Sequence, residues 1–168
     1  MALAIFIRTP LDRNLAIKCN FGSLTNKRTI MGGYSGTPLP QKLGIKPHEH
    51  VVLINAPKNY VELLGEIPKG TVFSGRMKIG ARFAHLFSTK RSELEKKLVA
   101  LRKQLAEDGT LWVSWPKKSA GVPTDITEDV IRAVALPLEF VDIKVCAVDE
   151  TWSGLKLMVR RANRRSEK

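Results

Sequence analysis

The sequence predicts an α/β fold: a three-layer sandwich of about six strands, mostly parallel, that closes in a C-terminal antiparallel hairpin. Three observations predict it. Val51-Val52-Leu53-Ile54 is a continuous apolar run rather than an alternating one, as a strand buried on both faces requires. Helical patterns alternate with strand-like runs along the chain, which implies parallel pairing through crossover connections. The last two strand-like runs, Val141 to Val148 and Leu155 to Val159, are joined only by Asp149-Glu150-Thr151-Trp152-Ser153-Gly154. That connection is too short for a parallel crossover, so the pair forms a hairpin.

The elements follow in order. Thr37-Pro38-Leu39 opens a short helix, with Thr37 able to cap and Pro38 suited to the first helical position. Gly44 ends it, free to take a positive φ. The strand Val51 to Ile54 stops at Asn55-Ala56-Pro57, and Tyr60 to Leu64 reads as a second short helix. Thr71-Val72-Phe73 is a weaker strand and Phe83 to Phe87 a stronger one. Ser88-Thr89 offers a cap and Glu93 a first-turn acid for the helix in which Leu94, Leu98, Leu101 and Leu105 line one face. Gly109 is expected to close that helix. Leu111 to Trp115 is the next strand and Pro116 to Gly121 its loop. Asp125 and Glu128 resemble a capping box for a helix carrying Ile126, Val130, Ile131 and Val134, with Pro137 at its end. Trp152-Ser153-Gly154 reads as a turn. This order resembles the nucleotide-binding Rossmann-like folds. It is closest to the class I methyltransferase layout, whose sheet also finishes with a reversed strand.

Length and composition set outer bounds. A chain of 168 residues fits one domain and can bury a core without staples. Residues 31–160 are expected to form that domain, and 161–168 a basic flexible tail. Residues 1–30 lack strong element boundaries and read as a non-native or disordered N-terminal extension, with Met31 the natural start. The two cysteines, Cys19 and Cys146, lie far apart and outside any Cys-x-x-Cys pair, which argues against a disulfide framework or a cysteine zinc site. Cys146 reads as a small buried hydrophobe, a reactive thiol being the alternative. No apolar run reaches the roughly 20 residues of a membrane span, and no cleavable signal is recognisable, so a cytoplasmic location is expected.

The net charge of +12 is concentrated at the ends. Residues 1–30 hold five basic side chains against Asp12, and residues 160–168 hold five against Glu167. Such ends allow weak, non-specific nucleic-acid contact, and a nucleic-acid-associated protein is the alternative function.

From Gly33 onward, four stretches carry a resemblance. They are Gly33-Tyr34-Ser35-Gly36-Thr37-Pro38-Leu39 with Lys42-Leu43-Gly44-Ile45; Leu111 to Lys117; Thr124-Asp125-Ile126-Thr127-Glu128-Asp129; and Lys144 to Asp149 with Trp152 to Lys156. In these the chain is similar to the bacterial domain-of-unknown-function family 3052. The resemblance implies a Rossmann-like fold and brings no activity or catalytic residues with it.

Ligands of open parallel sheets bind beyond the carboxyl ends of the strands, at the switch in strand order. If Val51–Ile54 and Leu111–Trp115 are central neighbours, that crevice collects Asn55, Pro57, Lys58, Trp115, Lys117, Lys118 and Ser119, with Asp149 and Trp152 approaching from the next strand end. Trp115 would offer a stacking face and the lysines charge for an anion. An adenosyl cofactor is not expected. Its loop needs glycines so that the backbone can approach the ligand, and the first strand runs into Asn55-Ala56-Pro57-Lys58-Asn59. The second strand ends in Ser74-Gly75-Arg76-Met77, without the acid that would hold ribose hydroxyls. No phosphate loop of Walker type, nucleophile elbow or metal site is expected either; His48 and His50 flank Glu49 but supply only two ligands. The sequence thus points to a methyltransferase-like domain without cofactor or demonstrable catalysis, binding a small anionic ligand or a protein partner.

Overall fold

The computed structural model describes residues 36–161. The expected N-terminal extension with its Met31 start, Cys19, and all but the first residue of the basic tail lie outside the described residues. Helix α1 (Leu39–Leu43) leads to β1 (His50–Ile54), α2 (Tyr60–Leu64), β2 (Val72–Ser74), β3 (Ala81–Phe87) and α3 (Arg91–Gln104). Then come β4 (Leu105–Pro116), α4 (Glu128–Ala135), β5 (Phe140–Ala147) and β6 (Trp152–Val159), with short 3-10 turns at Lys118–Ala120 and Leu136–Leu138.

The strands form one six-stranded sheet in the order β2-β1-β3-β4-β6-β5. β1 through β4 run parallel to one another, while β6 is antiparallel to both β4 and β5. The expected fold class stands: a mixed α/β sheet whose only reversed strand belongs to the final hairpin.

Two apolar cores sandwich the sheet. On one face Leu94, Leu98 and Leu101 of α3 and Ile131 and Ala135 of α4 pack on Ala84, Leu86, Leu111, Val113, Leu155 and Leu157. On the other, Leu43, Tyr60 and Leu64 of the first two helices pack on Val51, Phe83, Phe87 and Trp112. β3 feeds alternate side chains to both, which is why it is buried continuously from Phe83 to Phe87. Burying these side chains is the main term holding the layers together, at about 1.5–3 kcal/mol for each large one.

Several local expectations are corrected. α3 ends at Gln104, and Leu105 opens β4 in extended conformation. Leu105 still enters the core, so its apolar spacing continues the helical stripe after the helix has stopped. Gly109 therefore lies in an irregular stretch of β4, between its pairings at Leu105 and Thr110, and closes no helix. Ser88 and Thr89 do not cap α3; its first-turn Arg91 N–H donates to Asp125 Oδ1 at 2.6 Å. Asp125 is thus spent on another helix, and α4 is capped by Thr127, whose hydroxyl accepts from the Val130 N–H at 3.3 Å. Pro38, not Thr37, holds the cap position of α1 and makes no side-chain cap bond, while Gly44 ends that helix left-handed at φ +81°.

Trp152-Ser153-Gly154 is strand, not turn: Gly154 pairs with Ser114 on one side and Cys146 on the other. Glycine is needed there because a Cβ would sit 3.1 Å from Ser114 Oγ and 3.2 Å from both Trp112 Cε3 and Val148 Cγ2. No helix among the described residues is long and apolar enough to cross a membrane.

Candidate functional site

The chain lays β2 on one side of β1 and then returns to lay β3 on the other. The switch in strand order therefore falls between the carboxyl ends of β1 and β3. β1 and β4 are not neighbours, as β3 separates them, so the expected crevice is split across three strand ends.

Asn55 follows β1 directly and takes a left-handed φ of +55°, which Asn tolerates better than most residues. Its side-chain Nδ2 donates to Glu93 Oε1 at 2.9 Å, tying the loop after β1 to the first turn of α3. The amino end of α3 is the natural seat for an anion at such a switch point, since free N–H groups and the helix dipole converge there. Here that seat holds the chain's own carboxylates. Asp125 takes the Arg91 N–H, and Glu93 stands in the first turn. Thr124 Oγ1 and the Asp125 N–H both bond the Thr89 carbonyl, at 2.8 and 3.3 Å, fastening the loop before α4 onto this rim.

The other expected residues distribute as follows. Lys117, Asp149 and Trp152 come together at the turn between β5 and β6. Lys117 Nζ donates to the Asp149 carbonyl at 2.6 Å, and its N–H to the Thr151 carbonyl at 2.7 Å. Asp149 Oδ1 accepts the Thr151 and Trp152 N–H groups at 2.8 and 2.6 Å, an Asx turn that holds the connection. Trp152 sets its ring edge-on to Phe87, centroids 5.1 Å apart. Trp115 is buried in the core beneath α3 and α4, so its ring is a packing surface rather than an open stacking face. Lys58, Lys118 and Ser119 are exposed on their loops. His48 and His50 do not form a pair: His48 sits in a turn at φ +59° with its ring against Gly70, and His50 is exposed. Cys146 is half-buried, and burial pushes its thiol pKa upward, against the pull of Lys144 and Lys42.

A buried polar chain escapes sequence reasoning altogether. His85 of β3 is fully buried, with Nδ1 2.7 Å from the Tyr60 hydroxyl and Nε2 2.7 Å from Ser114 Oγ. Either neutral tautomer satisfies both contacts, one ring nitrogen donating and the other accepting. Burial holds the imidazole pKa down at about 3 and raises that of Tyr60. Period-two alternation alone would have put His85 on the face of Phe83 and Phe87; nothing in sequence indicates Tyr60 and Ser114 as its partners.

No family model and no curated protein matches the chain. Among solved structures it is similar to a protein described as a type 11 methyltransferase from Sulfolobus solfataricus, with TM-score 0.52 and 12% identity. That alignment covers 77% of this chain and 94% of the other. A ribosomal protein L11 methylase from Lactobacillus delbrueckii subsp. bulgaricus aligns with TM-score 0.49 and 11% identity over 73% of this chain and 76% of its own. The first likeness establishes a methyltransferase-like Rossmann fold, with the reversed strand seated inside the sheet.

The fold raises the question of an adenosyl cofactor, and the residues at the switch point do not fit one. The turn after β1 presents Asn55, Ala56 and Pro57 where bare backbone is needed, and Asn55 is tied by its side chain to Glu93 in the first turn of α3. β2 ends at Ser74 and continues into Gly75 and Arg76, with no carboxylate for ribose hydroxyls.

Proposed function

We propose that this chain is a methyltransferase-like domain that works without an adenosyl cofactor, as a binding module for a small anionic ligand rather than a catalyst. The observation that carries the reading is the Asn55–Glu93 hydrogen bond at 2.9 Å across the switch point. It fills with side chains the place where the cofactor's approach requires none. The basic balance of the chain supports an anion as ligand, and membership of domain-of-unknown-function family 3052 is proposed on the resemblance of the four stretches alone.

Thermal unfolding in the presence of S-adenosylmethionine, S-adenosylhomocysteine, inorganic phosphate and pyrophosphate tests the reading. A ligand at about 100 times its Kd stabilises the native state by roughly 2.7 kcal/mol, which a melting curve resolves easily. Stabilisation by an oxyanion with no response to either adenosyl compound is expected. A rise of several degrees with S-adenosylmethionine overturns it.

A further inference from the structure

The rim at the switch point is lined by the chain's own carboxylates, yet a strongly basic cluster lies elsewhere. Lys144 of β5 and Lys156 of β6 are directly opposed across the hairpin, and Lys156 is in turn opposite Trp112 of β4. Directly opposed residues share a sheet face. The face is that of α1: Lys144 Nζ lies 5.8 Å from the centre of the Trp112 ring and donates to the Lys42 carbonyl at 2.7 Å. Gly44, ending α1 with a left-handed turn, stands beside the Lys156 ammonium; a Cβ there would be 4.0 Å from Nζ. Lys42 and Lys46 flank that turn. The Lys144 and Lys156 side chains thus lie where α1 ends over β6 and β5, and the charges of Lys42 and Lys46 are felt there, by the Cys146 thiol and by Lys156 respectively.

Like charges directly opposed on a strand pair destabilise a sheet. Here the cost is not relieved from within: among the described residues no carboxylate forms an ion pair with any of the four. The remaining sequence offers little either, since only Asp12 and Glu167 are acidic outside the described residues. Lys156 registers the strain. Partial burial, then Lys144 and Lys46, lower its pKa.

We infer that Lys42, Lys46, Lys144 and Lys156 form a binding site for a compact, multiply charged oxyanion of the phosphate class. This rests on the reading of the chain as an anion-binding domain and gives that anion a place away from the switch point. Trp112 is buried with its indole N–H given to the Leu43 carbonyl at 2.9 Å, so no aromatic face is free to stack a base. The site is built for charge, and ammonium groups on flexible stems suit a small ion approached from several sides. Lys144 spends one of its three donors on Lys42 and keeps two for the ligand.

The test is calorimetric titration of the full chain with inorganic phosphate and with pyrophosphate at matched chloride strength. The comparison is with the double variants Lys144→Gln/Lys156→Gln and Lys117→Gln/Lys118→Gln. Pyrophosphate is expected to bind more tightly than phosphate, and the first variant to lose about tenfold or more in affinity, because charge-assisted hydrogen bonds are lost. In chloride buffer without oxyanions that variant is expected to melt no lower than the wild type, because the opposed charges are gone; a lower melting point overturns the claim of unrelieved repulsion. Full affinity in the first variant with loss in the second places the anion at the strand-end rim and overturns this site while leaving the anion-binding reading intact. Absence of any oxyanion binding over chloride overturns both. Binding of a single-stranded oligonucleotide through the same lysines, tighter than pyrophosphate, overturns the assignment to a small ion.

Discussion

His85 makes stability depend on pH between about 3 and its ordinary value of about 6.5. In the unfolded chain its imidazole titrates near its ordinary value of about 6.5, while in the native state burial holds the pKa at about 3. Below about pH 6.5 the unfolded state binds a proton that the native state refuses, so acid favours unfolding. Each pH unit between the two values costs about 1.36 kcal/mol, and the loss from pH 7 to pH 4.5 comes to about 2.5 kcal/mol. The group is fully buried, so solvent screening does not reduce this. Asp142, whose pKa is lowered chiefly by the Arg132 hydrogen bond, acts in the same direction but only below its ordinary value of 3.8. Denaturant unfolding at several pH values, on wild type and His85→Gln, isolates the histidine. The variant is expected to be less stable at pH 7, because Tyr60 and Ser114 lose a well-fitted partner, and to lose much less stability on acidification. Parallel pH profiles for the two proteins, or a native imidazole that titrates near 6.5 by NMR, would refute the reasoning.

Two further outcomes follow from specific contacts. Asp125→Ala removes the acceptor of the Arg91 N–H and is expected to cost about 0.5–2 kcal/mol in denaturant unfolding, while Asp125→Asn, which keeps an acceptor oxygen, costs less; equal losses would contradict the capping role. Gly154→Val drives a branched side chain against Ser114, Trp112 and Val148 in mid-sheet and is expected to cost about 1–3 kcal/mol or more, read as a lowered unfolding midpoint; a neutral result would mean that β6 does not approach β4 as closely as described.

The hydrogen bond of Asn55 to Glu93 joins residues 38 positions apart, and that of Arg91 to Asp125 residues 34 apart. Such pairings depend on the order of strands in the sheet, which local patterns do not encode. The lysine cluster was nearer to being legible. Lys144 and Lys156 lie symmetrically about the turn between β5 and β6, so a correct turn would have opposed them. Reading Trp152-Ser153-Gly154 as turn shifted the register and hid the pair. The real connection is shorter, because the Asp149 carboxylate takes two N–H groups and Val148 N–H bonds the Trp152 carbonyl at 2.9 Å. Hairpin register is set by turn geometry, and a slip of one residue moves every side chain to the other face.

By itself the sequence determined the succession of helices and strands, the parallel character of the sheet and the reversal at its end. These depend on periodicity, on apolar runs and on the length of one connection, all local or nearly so. It also determined that the turn after β1 carries side chains in place of glycine. Only the tertiary structure decided that β3 separates β1 from β4, that Trp115 faces the core, and that Tyr60, His85 and Ser114 join inside it. Those facts arise from which strand lies beside which, and strand neighbours are selected by the packing of whole layers, not by any one segment.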